Sequence, residues 1–300
     1  MRFWERIVKV KIGRAGSKAE VFQNTNSKGH TMSFDVIKDS TKKTNKATVK
    51  LYNLNVASSY FLALPQNAIE IFAGWDGECP RIFLGTVLTC DDTYTGKDKI
   101  TTIIATDGGK ELSEGVIAFS KTDATNSTKL LNDIAGELGL SLKMGNGVEE
   151  INYLGGYSFI GKGQDALTEI CDSINAQWFI VNNVINVVNY YSYSQNLGYE
   201  INAGSGLIGT PSHVVVDNYF KKNSGKGKKT EGQQNTRNSK NGYGYSFTTL
   251  LNPYINIRDL VHLSSKTITD YMYIESIRHS GATNGGNFTS QIMGIKTGGK

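Results

Sequence analysis

Three segments near the N-terminus alternate apolar and polar residues with period two, and this restricts the fold more than anything else in the chain. Val8, Val10 and Ile12 alternate with Lys9 and Lys11; Met32, Phe34 and Val36 with Thr31, Ser33 and Asp35; Ala47, Val49 and Leu51 with Thr48 and Lys50. Successive side chains of a strand point to opposite faces, so one apolar face per segment predicts antiparallel strands packed on one side. Further strands are expected at Ala68–Ala73, Arg81–Leu88 and Lys99–Thr106, separated by Gly74-Trp-Asp-Gly77 and Thr95-Gly-Lys97, with polar loops at Ser27–His30 and Lys38–Asn45. Short strands at roughly 10–15-residue spacing predict a barrel or sandwich, and this first β domain is expected over residues 1–112.

The pattern then changes period. Leu130, Leu131, Ile134, Ala135 and Leu138 lie on one face of a helix expected over Ser127–Leu138, with Asn126 or Ser127 to cap it and Gly139 to end it in a left-handed residue. A second helix, about Gln164–Asn175, aligns Leu167, Ile170, Cys171 and Ile174, and carries Asp165 near its positive end. Asn182-Asn183 tolerates positive φ at both positions and predicts a tight hairpin between Gln177–Val181 and Val184–Asn189. Residues 113–203 thus read as a small α/β module of two helices. Residues 204–300 return to strands, at His213–Val216, Tyr245–Leu250, Leu260–Ser264, Met272–Ser280 and Asn287–Ile295.

Charge is concentrated in one place. The 300 residues carry 32 Lys+Arg and 27 Asp+Glu, a net +5. Lys221, Lys222, Lys226, Lys228, Lys229, Arg237 and Lys240 against Glu231 make a local +6, so the rest of the chain is 25 basic less 26 acidic, or −1. A general affinity for nucleic acid is therefore a poor reading of the total. The segment 221–244, rich in Gly, Lys, Asn, Ser and Gln, is too polar to build a core of its own. It is expected to contact an acidic neighbouring subunit or DNA. The 33 glycines show no three-residue period, which excludes collagen. The charged N-terminal residues do not form a secretory leader, no stretch approaches a membrane span, and folding in a cytoplasm is expected.

A search by spacing finds no catalytic constellation. Cys79, Cys90 and Cys171 have no metal-ligand spacing, and an odd count argues against a disulfide framework. His30, His213, His262 and His279 are scattered without an HxxxH or HxH pair. Asp91-Asp92 and Glu149-Glu150 are adjacent, and neighbours in a strand face opposite ways, which does not suit an acid/base dyad. Gly161-Lys-Gly163, Gly225-Lys-Gly-Lys228 and Gly298-Gly-Lys300 lack the spacing of a phosphate loop, and there is no Gly-x-Ser-x-Gly elbow. No enzyme activity, cofactor or metal is expected. Tyr190-Tyr-Ser-Tyr193 has the rings to stack on sugars or bases, but a strand edge packing between domains is the better account.

Several local patterns resemble, in order, the phage tail baseplate hub proteins, the late-control protein D-like group. They are Phe34-Asp-Val-Ile-Lys38 with Lys46-Ala-Thr-Val-Lys-Leu-Tyr-Asn-Leu54; Ile69-Glu-Ile-Phe-Ala-Gly-Trp75 with Ile82-Phe-Leu-Gly-Thr-Val87; and Ile103-Ile-Ala-Thr-Asp-Gly108. Gly206-Leu-Ile-Gly-Thr-Pro211 is the most specific, followed by Thr249-Leu-Leu-Asn-Pro253, Leu260-Val-His-Leu-Ser264, Tyr273-Ile-Glu-Ser-Ile-Arg-His279 and Gly281. The chain departs from that pattern at Arg258-Asp259, where such proteins usually have a glycine, and in the long segment 221–244.

The resemblance implies a mainly β fold with two tube-like antiparallel β-barrels flanking the two-helix α/β insert. It also implies a homotrimer in which six similar barrels meet a sixfold tail tube on one side and a threefold central spike on the other. Partners would be the tail tube protein, the central spike protein and other baseplate proteins, with DNA only passing through a lumen and no membrane insertion. The location would be the tail baseplate of a virion, assembled in the host cytoplasm. Two other readings compete: a β-rich cell-surface or glycan-binding tail module, and, less favoured, a tail-associated peptidoglycan hydrolase.

Overall fold

The computed structural model describes residues 5–14, 16, 18–25, 28–75, 77–109, 112, 115–189, 198–220 and 240–296, with side chains described for all of these but 217–220 and 240–241. The first strands are β1 (Arg6–Gly13), β2 (Glu20–Thr25), β3 (Lys28–Gly29), β4 (Met32–Asp39), β5 (Lys46–Tyr52), β6 (Ala68–Trp75), β7 (Arg81–Thr95) and β8 (Asp98–Thr106). The alternation settles their faces: Val8, Val10, Ile12, Met32, Phe34, Val36, Ala47, Val49 and Leu51 are all buried. A short helix that the periodicity does not announce, α1 (Val56–Leu62), follows β5. Its signal is a cap, since Asn55 Oδ1 accepts from Ser58 N at 2.8 Å.

The middle part comprises β9 (Val116–Lys121), β10 (Thr125–Asn126), α2 (Ser127–Glu137), β11 (Ser141–Met144), β12 (Asn152–Tyr153), β13 (Tyr157–Lys162), α3 (Gly163–Ser173), β14 (Ala176–Val181) and β15 (Val184–Asn189). Asn126 caps α2 by accepting from Lys129 N at 2.8 Å, and Gly139 beyond its end has φ +66°. Both helices bury the expected stripes, Leu130, Leu131 and Ile134 on α2 and Leu167, Ile170 and Cys171 on α3, in one core with Trp178, Ile185 and Val187. Asn182 and Asn183 turn the β14–β15 hairpin with φ +55° and +64°. Strand β11 joins this sheet parallel to β15.

The third part has β16 (Tyr199–Ile201), β17 (Leu207–Phe220), β18 (Lys240–Leu250), β19 (Leu260–Ser264), β20 (Thr269–Ala282) and β21 (Phe288–Lys296). The mainly β class with a small helical part agrees with the sequence reading, but the two separately closed barrels do not. Among the described residues the strands outside the middle part make one open 14-stranded sheet, in the order β17-β18-β21-β20-β4-β5-β8-β7-β6-β1-β2-β3, with β19 on β20 and β16 on β19. The physical reason is that β4 gives its outer edge to β20 of the other group instead of closing on its own. Strand β16 also runs parallel to β19, where only antiparallel pairs were expected.

Within this sheet one pattern occurs twice. The pairings β4·β5, β5·β8, β8·β7 and β7·β6 recur as β17·β18, β18·β21, β21·β20 and β20·β19. Equivalent core positions keep apolar character with different residues: Val49 and Phe247, Ile103 and Ile292, Ile69 and Val261.

Candidate assembly interface and the buried polar seam

The seam between the two repeats is built on β20. Its first half pairs with β19 through Thr269–Tyr273, and after an irregularity between Ile274 and Ser276 its second half pairs with β4. Gly281 lies opposite Phe34, and a Cβ there would stand 2.5 Å from the Phe288 ring and 2.8 Å from the Phe34 ring. Glycine is what lets Phe34, Phe288 and Trp75 meet edge to face, with ring centroids 5.8 and 4.8 Å apart. On the outer surface Arg278 donates two hydrogen bonds to Asp35, at 2.7 and 3.0 Å, tying β20 to β4.

Under the seam lies a cluster of buried polar groups that the sequence reading did not single out. Lys38 continues the inward series Met32, Phe34, Val36, so what reads as the start of a polar loop is a core position. Burial pushes its ammonium down to about 8, against the attraction of Asp107 and Asp259. Asn45, also expected in that loop, is buried and donates to Asp107 from N at 2.7 Å and Nδ2 at 2.8 Å, and to Ile180 O at 2.6 Å. Asn182 N completes the shell of Asp107 at 3.1 Å, and burial raises that carboxyl to about 6 despite these bonds. One knot thus joins β4, the end of β8 and the β14–β15 hairpin.

Arg258 and Glu275 form a second knot, 1% and 5% exposed, with Nη1 3.2 Å from Oε1. Ser40 donates its hydroxyl to the same carboxylate. Arg258 has φ +67°, the left-handed conformation that glycine adopts without cost, which explains why glycine was expected there. His279 is buried, with Nδ1 2.8 Å from Ser290 Oγ. Burial, then the charge of Lys38, pushes it down to about 3, so it stays neutral.

Of the predicted interface residues, Lys221, Lys222, Lys226, Lys228, Lys229 and Arg237 lie outside the described residues, as does Tyr190–Tyr193. Lys240 opens β18 opposite Phe220. Strands β17 and β18 thus form one long antiparallel pair, described up to Phe220 and from Lys240, and a second long hairpin is β7–β8. On β7, Asp91 is exposed, whereas Asp92 accepts from Lys99 Nζ at 2.8 Å and Thr101 Oγ1 at 2.6 Å. Burial alone would raise the Asp92 carboxyl, but these bonds hold it below the usual range. The two carboxylates do not converge on a common point, in keeping with their alternate faces.

A cleft of about 400 Å³ separates the β14–β15 hairpin from Asn256 and Ile257, lined also by Arg81, Lys143, Asn146 and Asn186. Among the described residues no carboxylate, histidine or cysteine lines it, and its ionisable side chains are Arg81 and Lys143. Among the described residues no three His, Cys, Asp or Glu side chains gather to hold a metal ion, and no helix is long and apolar enough to cross a membrane.

No family model matches the sequence, and no curated protein sequence does. Solved structures do match. The 43 kDa tail protein of prophage MuSo2 from Shewanella oneidensis aligns over 97% of this chain and 98% of its own, with 11% identity and a TM-score of 0.61. A tail protein from Neisseria meningitidis MC58 aligns over 96% of both chains, with 10% identity and a TM-score of 0.63. The Escherichia coli c3393 protein, a type VI secretion component similar in structure to T4 bacteriophage tail proteins gp27 and gp5, aligns over 95% of this chain and 76% of its own (8% identity, TM-score 0.57). The likeness is one of fold, and the fold is that of phage tail proteins, as the sequence resemblance implies.

Proposed function

We propose that the chain is a structural subunit of a phage tail or related injection machine, a baseplate hub that acts without catalysis. The observation that carries this reading is the repeated strand order. Two equivalent β units per chain let three chains present six similar units to a sixfold tail tube while keeping threefold symmetry toward a central spike. The partners are then further copies of the chain, the tube protein, the spike protein and other baseplate proteins, with DNA passing through the lumen, in a virion baseplate assembled in the host cytoplasm. Full-length coverage of tail proteins from two bacterial sources supports the same reading. In this arrangement residues 1–112, 113–203 and 204–300 act as three domains, and the basic residues Lys221–Lys240 contact an acidic surface of a neighbouring subunit.

Light scattering of the purified chain, with electron microscopy beside its tube partner, tests the reading. Three copies per particle and ring-shaped images are expected. A strict monomer at high concentration with no rings would overturn it.

A further inference from the structure

The repeat extends to a shared irregularity. In β7, Val87 and Thr89 pair with consecutive residues Ala105 and Ile104, leaving Leu88 between them unpaired. In β20, Ile274 and Ser276 pair with consecutive residues Gly294 and Met293, leaving Glu275 between them. Before this bulge, the other edge of β7 holds β6 and that of β20 holds β19. After it, β20 holds β4 over Ser276–Ala282. The equivalent run of β7, Thr89–Thr95, has the same length and among the described residues pairs with β8 alone. At the far end of the sheet β17 stands in the place of β4, and the edge that β4 gives to β20 is, among the described residues, unpaired on β17.

We propose that a second copy of the chain fills both vacancies: Thr89–Thr95 of one copy pairs antiparallel with β17 of the next, repeating between chains the seam that β20 and β4 make within one. The inference rests on the hub reading and names the surfaces through which its copies meet. The register follows from the internal seam. Ile37 and Val214 are equivalent because their partners Lys46 and Gly244 pair with the equivalent Thr106 and Ile295. Since Arg278 faces Ile37, its counterpart Asp91 faces Val214 of the next copy, which sets Cys90 against Val215 and Asp92 against His213.

Three observations favour a second copy over another occupant. Leu88, Tyr94 and Val215 are 42%, 76% and 54% exposed, large apolar side chains on strands whose counterparts in the internal seam are covered. The free run of β7 carries Asp91 and Asp92, and His213 lies on the edge it would meet. The register also brings Tyr94 to the irregular part of β17 between Ile208 and Ser212, beside an open cleft lined by Gly209, Thr210 and Pro211. Because the two edges differ, copies join head to tail, and a fixed rotation per copy closes them into a ring. An unpaired edge left open on a free chain invites disordered association.

Cysteine pairs test the register. Val215→Cys beside the native Cys90, and Asp91→Cys with Val214→Cys in a Cys90→Ser background, cover both kinds of antiparallel pair, of which the closer suits a disulfide. Val216→Cys with Cys90 is the out-of-register control, on the opposite face. After light scattering establishes the oligomer, the proteins are treated with copper phenanthroline and run without reductant. A shift to two and three times the chain mass in at least one in-register pair, absent from the control, is expected. An oligomer in which neither pair cross-links overturns the seam and leaves the hub reading standing, as does equal cross-linking of the control. A monomer at every concentration overturns the hub reading itself, and the seam with it.

Discussion

Arg258 offers the sharpest test of the buried seam, because two opposing effects meet in one residue. Its guanidinium is 1% exposed and faces Glu275 at 3.2 Å, so truncation to alanine strands a carboxylate that is itself 5% exposed. Breaking a buried pair on one side costs about 3–5 kcal/mol. The backbone acts in the other direction, since φ is +67° and a side chain in the left-handed region costs roughly 1–2 kcal/mol that glycine avoids. Arg258→Gly should therefore be about 1 kcal/mol more stable than Arg258→Ala, although it removes more atoms. The pair itself is imperfect, for Nε and Nη1 make no aligned hydrogen bond among the described residues. Its net contribution against apolar replacements is accordingly small, and Arg258→Met with Glu275→Leu should lie within about 1.5 kcal/mol of the parent. Urea unfolding followed by tryptophan fluorescence reads these differences, since Trp75 packs on Phe288 beside the seam. If glycine is no better than alanine, the account of the left-handed site is wrong. If the double replacement loses as much as Arg258→Ala, stranding of the carboxylate is not the cause.

Other perturbations bear on the same seam and on assembly. Lys38, held down to about 8 against an ordinary 10.5, binds fewer protons folded than unfolded between those pH values, so its contribution to stability rises with pH across that window. Lys38→Met should flatten that rise by up to ~3 kcal/mol, measured as the difference between the two proteins' unfolding free energies at pH 7.5 and pH 10.5. Asn45→Ala removes the side-chain bonds to Asp39 N, Asp107 and Ile180 O at one buried point, and a loss of about 2–4 kcal/mol in chemical denaturation is expected. Deleting residues Lys226–Lys240 should leave circular dichroism of the strands intact while impairing assembly. Normal assembly of that deletion with failed DNA ejection would instead place the segment in the lumen.

What the sequence displays well is anything with a period. Val8–Ile12, Met32–Val36 and Ala47–Leu51 announce their strands and inward faces, and Asn182-Asn183 announces its turn, because each depends on neighbours in sequence. What lies across the sheet is hidden. Lys38 occupies an inward position by the same period of two, yet its charge makes it read as loop, and only the distant Asp107 and Asp259 make its burial tolerable. His279 likewise reads as one scattered histidine until β21 brings Ser290 to its ring. Arg258 was visible as a departure from the expected glycine, but its partner Glu275 sits at a bulge that no local pattern encodes. Of the basic residues singled out from charge only Lys240, at the start of β18, falls within the described part.

The repeat explains why two closed barrels were the natural expectation and why an open sheet is the outcome. Alternation tells how many strands have an inner face; it does not say whether the last edge returns to the first strand or passes to another unit. Here Gly281 decides one such junction, because it lets β20 approach Phe34 closely enough to share the Phe34–Phe288–Trp75 cluster. A larger side chain at 281 would push β20 off β4, costing about 1–3 kcal/mol in overpacking and freeing the edge of β4. The counterpart of Gly281 on β7 is Tyr94, which would meet the irregular Gly209–Pro211 part of β17 instead of an aromatic side chain. Large against small thus appears at both junctions with the roles of the strands exchanged, which would keep the internal seam and the proposed external one from substituting for each other. Tyr94→Gly should therefore weaken association between copies and leave the fold of each intact, and unchanged oligomer mass for that variant would remove the argument from complementarity.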